Sequence, residues 1–136
     1  MRALFWMGLA LLAGCSQKTD ESKNAAPQAD SYFTKEIAPL LQANCATCHL
    51  TGTEAGNMSL VPAKAIAHLV NVKSQEAPNL MRVAPGDPEA SYLIMKLEGT
   101  HIQHGGTGAR MPFGAPPLGA EDIAKFRTWI AEGAKP

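Results

Sequence analysis

The sequence predicts an all-α fold of about four short helices joined by long loops. Three observations lead there. Apolar residues recur at helical spacing in four separate windows. The 12 glycines and 10 prolines fall mostly between those windows and break regular structure where they fall. Aromatic residues are only 6% of the 136, which suits a small helical domain with a modest core of its own.

The first 14 residues stand apart from the fold. Arg2 gives a short positive start, and Ala3 to Ala13 is an apolar run too short to span a bilayer comfortably. It ends Leu12-Ala13-Gly14-Cys15. This ending resembles the bacterial lipoprotein signal, in which the cysteine becomes the lipidated first residue. An ordinary secretory signal with a chance cysteine is the alternative. Ser16 follows, and in Gram-negative lipoproteins a serine there usually permits transfer to the outer membrane. Residues 16–30 are polar, without apolar periodicity, and read as a tether with a reach on the order of 20 Å. The expected organisation is a signal over 1–14, a lipidated cysteine and tether over 15–30, and a single domain over 31–136.

The first helix is expected over about Ser31–Asn44, with Ser31 as N-cap and Phe33, Ile37, Leu40 and Leu41 as one apolar stripe. Pro39 predicts a kink or break near Ala38. Leu50 to Leu60 is loop, with Met58 and Leu60 dipping inward. Pro62 opens a second helix over about Ala63–Val72, with Ile66, Leu69 and Val70 inside and His68 at another angle. Asp87 caps and Pro88 opens a third helix, Pro88–Leu97, which Gly99 stops. Residues 100–118 carry Gly105, Gly106, Gly108, Pro112, Gly114, Pro116 and Pro117, a composition that excludes regular structure; a loop this long in so small a domain is usually functional. The last helix is expected over Ala120–Glu132, with Glu121 and Asp122 favourable to its dipole and Ile123, Phe126 and Ile130 on one face.

The chemistry concentrates in Cys45-Ala46-Thr47-Cys48-His49. A C-x-x-C-H run reads as a c-type haem attachment site. Two thiols add across the two haem vinyl groups, and a two-residue gap holds the sulfurs at the separation required. The histidine that follows is carried beneath the iron as proximal ligand. A thioredoxin-like dithiol or half of a zinc site is the other way to read the cysteines. The first needs a βαβ pattern and the second another ligand pair, and the sequence offers neither. On these residues the chain resembles a mono-haem, class I-like cytochrome c. The resemblance implies one covalently attached haem c and a C-terminal helix packed across the N-terminal one. It covers about Tyr32 to Ala134, and the segment between His49 and Met111 is longer than in the smallest members.

A second axial ligand decides what such a haem does. The candidates are Met58, Met81, Met95, Met111, His68, His101 and His104. Met111, in Arg110-Met111-Pro112, resembles the distal ligand motif of class I cytochromes c, and proline restricts the residue before it to extended geometry. Met111 as a core filler is the alternative. His101 and His104, three apart, compete; the two could also make a weak surface metal site, but the glycines around them argue for mobility. Tyr92 and Met95 are placed to touch the haem or simply to pack. Arg82 and Arg110 match propionate geometry, with solvated surface charge as the alternative.

Basic and acidic residues balance at 12 each, which gives no sign of nucleic acid as a partner. The three cysteines are all accounted for by haem and lipid. The expected function is one-electron transfer, with no enzymatic bond change, by a lipid-anchored extracytoplasmic protein that meets redox partners transiently. A five-coordinate haem sensor or peroxidase-like enzyme is one rival; an accessory haem subunit of a membrane complex is another.

Overall fold

The computed structural model describes residues 30–136. The expected signal over 1–14, Cys15 and all but the last residue of the tether lie outside the described residues. Among the described residues there are four α-helices and no β-strand, only isolated bridges, so the all-α expectation holds. The helices are α1 (Ala38–Asn44), α2 (Pro62–Leu69), α3 (Tyr92–Glu98) and α4 (Ala120–Ala131). No helix among them is long and apolar enough to cross a membrane.

The first helix begins as a π-helical turn, Phe33–Ile37, and becomes α-helical at Ala38. The Ala38 N–H donates to the carbonyl of Phe33, five residues back. The cause is Pro39, which lacks an N–H and crowds the carbonyl of Lys35, inside the widened turn. The break expected near Ala38 is therefore a change of helical pitch. Ser31 caps as expected, its hydroxyl accepting from the Thr34 N–H at 3.1 Å.

α2 starts on Pro62 but ends three residues before the expected Val72. Val70 turns extended and pairs with Val83, while Asn71 takes a left-handed φ of 56°. α3 starts four residues later than Asp87-Pro88 suggested. Asp87 does accept a hydrogen bond, from the Ala90 N–H at 2.9 Å, but it closes a turn and not the helix. Ser91, fully buried, then joins that turn to α3: its hydroxyl accepts from the Ala84 N–H at 2.9 Å and donates to the Asp87 carbonyl at 2.8 Å. Gly99 ends α3 in a left-handed conformation, φ 81°, as a C-terminal glycine does.

Residues 100–118 are not wholly irregular. His101–His104 form a 3-10 turn between Gly99 and Gly105. Two glycines that can take positive φ bracket a segment long enough for one tight turn.

The core is built from Phe33, Ile37 and Leu41 on the first helix, Leu69 on α2, Ile94 and Leu97 on α3, and Phe126, Trp129 and Ile130 on α4. α4 packs against the π-helical turn, with the Phe33 and Trp129 rings in contact. The N-terminal and C-terminal helices of the described residues thus meet. Met95 packs with Ala77 and Tyr92 in a smaller cluster.

Candidate functional site

α1 ends at Asn44, and a separate turn follows. The Cys45 and Ala46 N–H groups both donate to the Leu41 carbonyl, at 3.0 and 2.9 Å. The Cys48 and His49 N–H groups then both donate to the Cys45 carbonyl, at 3.2 and 3.0 Å. This winding places Cys45, Cys48 and His49 along one wall of a cleft of about 470 Å³, within the roughly 300–1,000 Å³ typical of ligand and cofactor sites. Ala46 turns into the protein and is buried.

The other walls come from distant parts of the chain. Leu60, Leu69, Leu93 and Leu97 make an apolar lining. Met58 and Met111 bring two thioethers to the same cleft, and Pro112 and Phe113 form part of its edge. Glu76, Arg82, Tyr92 and Lys96 add a polar set. A second hollow, about 510 Å³, lies between Tyr32, Phe33 and Trp129 and is lined by no cysteine, histidine or methionine.

Of the sequence-predicted residues, the cleft brings together Cys45, Cys48, His49 and Met111, with Met58 beside them. Met81, Met95, His68, His101 and His104 are not among its lining residues. His104 is exposed, but His101 is buried at 2% exposure, against the expected mobility. Its Nε2 hydrogen-bonds the Gly108 carbonyl at 3.0 Å, which removes it from solvent. Tyr92 lines the cleft as expected. The Met111–Pro112 peptide bond is cis.

Arg82 is buried and spends its guanidinium on backbone. It donates to the His68 carbonyl at 2.7 Å, to the Gly56 carbonyl and, at 3.4 Å, to the Asn57 carbonyl. It therefore ties the 50–60 loop to the end of α2, and burial lowers its pKa from the usual value. Arg110 is exposed, and its side chain crosses Gly99, where an added Cβ would lie 2.7 Å from its Cδ.

The loop after His49 closes on itself. The Leu60 N–H donates to the His49 carbonyl and the Ser59 hydroxyl to the Leu50 carbonyl, both at 2.8 Å. Glu54 accepts from the N–H groups of Thr51 and Gly52 at 3.0 and 2.9 Å. Those donors hold its carboxyl at about 2.

His49 is 7% exposed, and its Nδ1 is buried without a hydrogen-bond partner. Burial, opposed by the Ala55 backbone, lowers its pKa and favours the neutral imidazole, the form that ligates metal. Cys45 is half-buried, Cys48 is exposed, and the two are not joined. Burial first and Cys48 second push the Cys45 thiol up to about 11. Disulfide exchange uses a thiol shifted the opposite way. Among the described residues there is no group of three or more His, Cys, Asp or Glu that could hold a metal ion.

Sequence reasoning missed Lys96 and Glu76. Lys96 is buried on α3, its ammonium 2.9 Å from Glu76 Oε2, which also accepts from the Tyr92 hydroxyl at 2.7 Å. The available signal was a single cation inside the apolar run Tyr92-Leu93-Ile94-Met95-Lys96-Leu97. No family model, curated protein or solved structure matches this chain.

Proposed function

We propose that the chain is a c-type haem protein. More particularly, we infer a mono-haem, class I-like cytochrome c that passes single electrons outside the cytoplasm. The observation that carries this reading is the convergence, in one apolar cleft, of the two thiols and imidazole of C-x-x-C-H with the thioether of Met111. The unpartnered ring nitrogen of buried His49 and the unjoined thiols support a fit to covalent haem.

When bound, the haem iron supplies a one-electron couple between its ferric and ferrous states. The chain's own residues do the rest. Cys45 and Cys48 would hold the haem by thioethers. His49 would offer a neutral imidazole to the iron, and Met111 a thioether, which would raise the potential relative to histidine. Leu60, Leu69, Leu93 and Leu97 keep water from the site. With both His49 and Met111 committed to the iron, no ligand position would be left for substrate, so no catalytic role is assigned. Redox proteins are the transient partners, and a lipid on Cys15 anchors the chain at the periplasmic side of a membrane.

The test is to produce the full chain in a host that attaches c-type haem. The denatured product should hold one acid-stable haem per chain, lost in Cys45→Ser with Cys48→Ser. The ferrous protein should bind carbon monoxide only after slow displacement of its own ligand; immediate binding would favour the sensor or peroxidase-like rival. Cys15→Ser should move the protein from the membrane fraction to the soluble one. A colourless product with both thiols free or zinc-bound overturns the reading.

A further inference from the structure

The segment that delivers Met111 is held mainly by polar contacts with α3 and the 3-10 turn. Lys96 Nζ donates to the Thr107 carbonyl at 3.0 Å. His101 Nε2 bonds the Gly108 carbonyl at 3.0 Å. The Gly106 N–H donates to the His101 carbonyl at 2.9 Å, and the Met111 N–H to the Lys96 carbonyl at 3.0 Å. Residues 107–110 themselves are exposed. The attachment is close: a Cβ on Gly106 would lie 2.3 Å from the Tyr92 hydroxyl.

Both side chains in this set are costly to bury. Lys96 is 8% exposed and His101 2%. A buried cation is tolerated only when it is paired, and Glu76 supplies the pair. A leucine at 96 would avoid that cost but would leave the Thr107 carbonyl without its donor. A carbonyl can only accept, so His101 donates to it through Nε2–H. Its Nδ1 is buried without a partner.

We propose that Lys96 and His101 are positioning residues for the distal ligand: by gripping the Thr107 and Gly108 carbonyls they keep the Met111 thioether in the cleft that His49 lines. This rests on the haem reading above and gives His101 a different role from the axial one considered for it. Neither side chain needs to touch the iron. Each raises the free energy of the open loop, in which Met111 is withdrawn and another ligand can enter.

The experiment compares full-length, haem-loaded protein carrying Lys96→Met or His101→Leu, which fill space without donating, with Lys96→Arg and His101→Gln, which keep a donor. Covalent haem content and helical circular dichroism are read first, then the thioether-to-ferric-iron absorption band, the affinity for added imidazole, and amide hydrogen exchange over 105–111. The donorless variants should keep haem and helix, weaken the band, bind imidazole about tenfold more tightly and exchange about tenfold faster in the loop, the factor expected from ~1.4 kcal/mol. The donor-keeping variants should stay within about threefold of wild type. Wild-type band, imidazole affinity and exchange in both donorless variants overturn the positioning role and leave the haem reading intact. Wild-type protein without covalent haem overturns both.

Discussion

The Phe33 and Trp129 rings lie 5.5 Å apart at 45°, joining the widened first turn of the fold to its last helix. Both are buried to 1% exposure. Phe33→Ala removes one side of this contact and leaves a cavity beside Trp129. It should cost about 3–5 kcal/mol, read as a lowered urea midpoint by tryptophan fluorescence with haem content held equal. Phe33→Leu should recover about half of that.

Arg82 is expected to act on the fold before any cofactor. Arg82→Leu strips donors from the carbonyls of Gly56, Asn57 and His68. Leaving these part-buried acceptors without their donor should cost about 1–3 kcal/mol. The amides of residues 50–60 should exchange faster while those of α4 keep their relative protection. Loss of stability without loosening of that loop would contradict the role given to Arg82.

Glu54 gives a pH signature. Its carboxyl titrates at about 2 in the fold against 4.5 for the ordinary side chain. A depressed folded-state pKa means that the loop closure is fully present above about 4.5 and is lost as pH falls through about 2. The amide resonances of Thr51 and Gly52 should therefore shift with a midpoint near 2 and lose that titration in Glu54→Gln. A midpoint near 4.5 would show that the contact does not persist in solution.

Met111 and Met58 can be separated by substitution. On the proposed haem reading, Met111→Ala should retain covalent haem, since Cys45 and Cys48 are untouched. It should lose the thioether band and lower the midpoint potential, the direction expected when a methionine ligand is replaced. Met58→Ala should leave both unchanged. The reverse pattern would transfer the ligand role to Met58, which lines the same cleft.

Helices whose ends are set by local chemistry were readable in the sequence. The first ends at Asn44, and the last starts at Ala120, both as expected. Ends fixed by long-range contacts were not. α2 stops early because Val70 pairs with Val83, and α3 starts late because the Ser91 hydroxyl bonds the turn before it. At the site, C-x-x-C-H named three cleft residues through its spacing alone, and Met-Pro pointed to a fourth. Lys96 and Glu76 meet only in three dimensions, twenty residues apart, and no periodicity announces that pair. His101 looked mobile among glycines, yet those glycines let the chain fold over it.

Ser91 has a reach far beyond its size. Its hydroxyl ties the start of α3 to the preceding turn, and α3 carries Tyr92, Leu93, Lys96 and Leu97 of the cleft wall. Ser91 is fully buried and does not itself border the cavity, so added bulk there would have to be accommodated at the start of that wall. Directed evolution for a reshaped binding space should therefore sample the hinge at 91 as well as the rim.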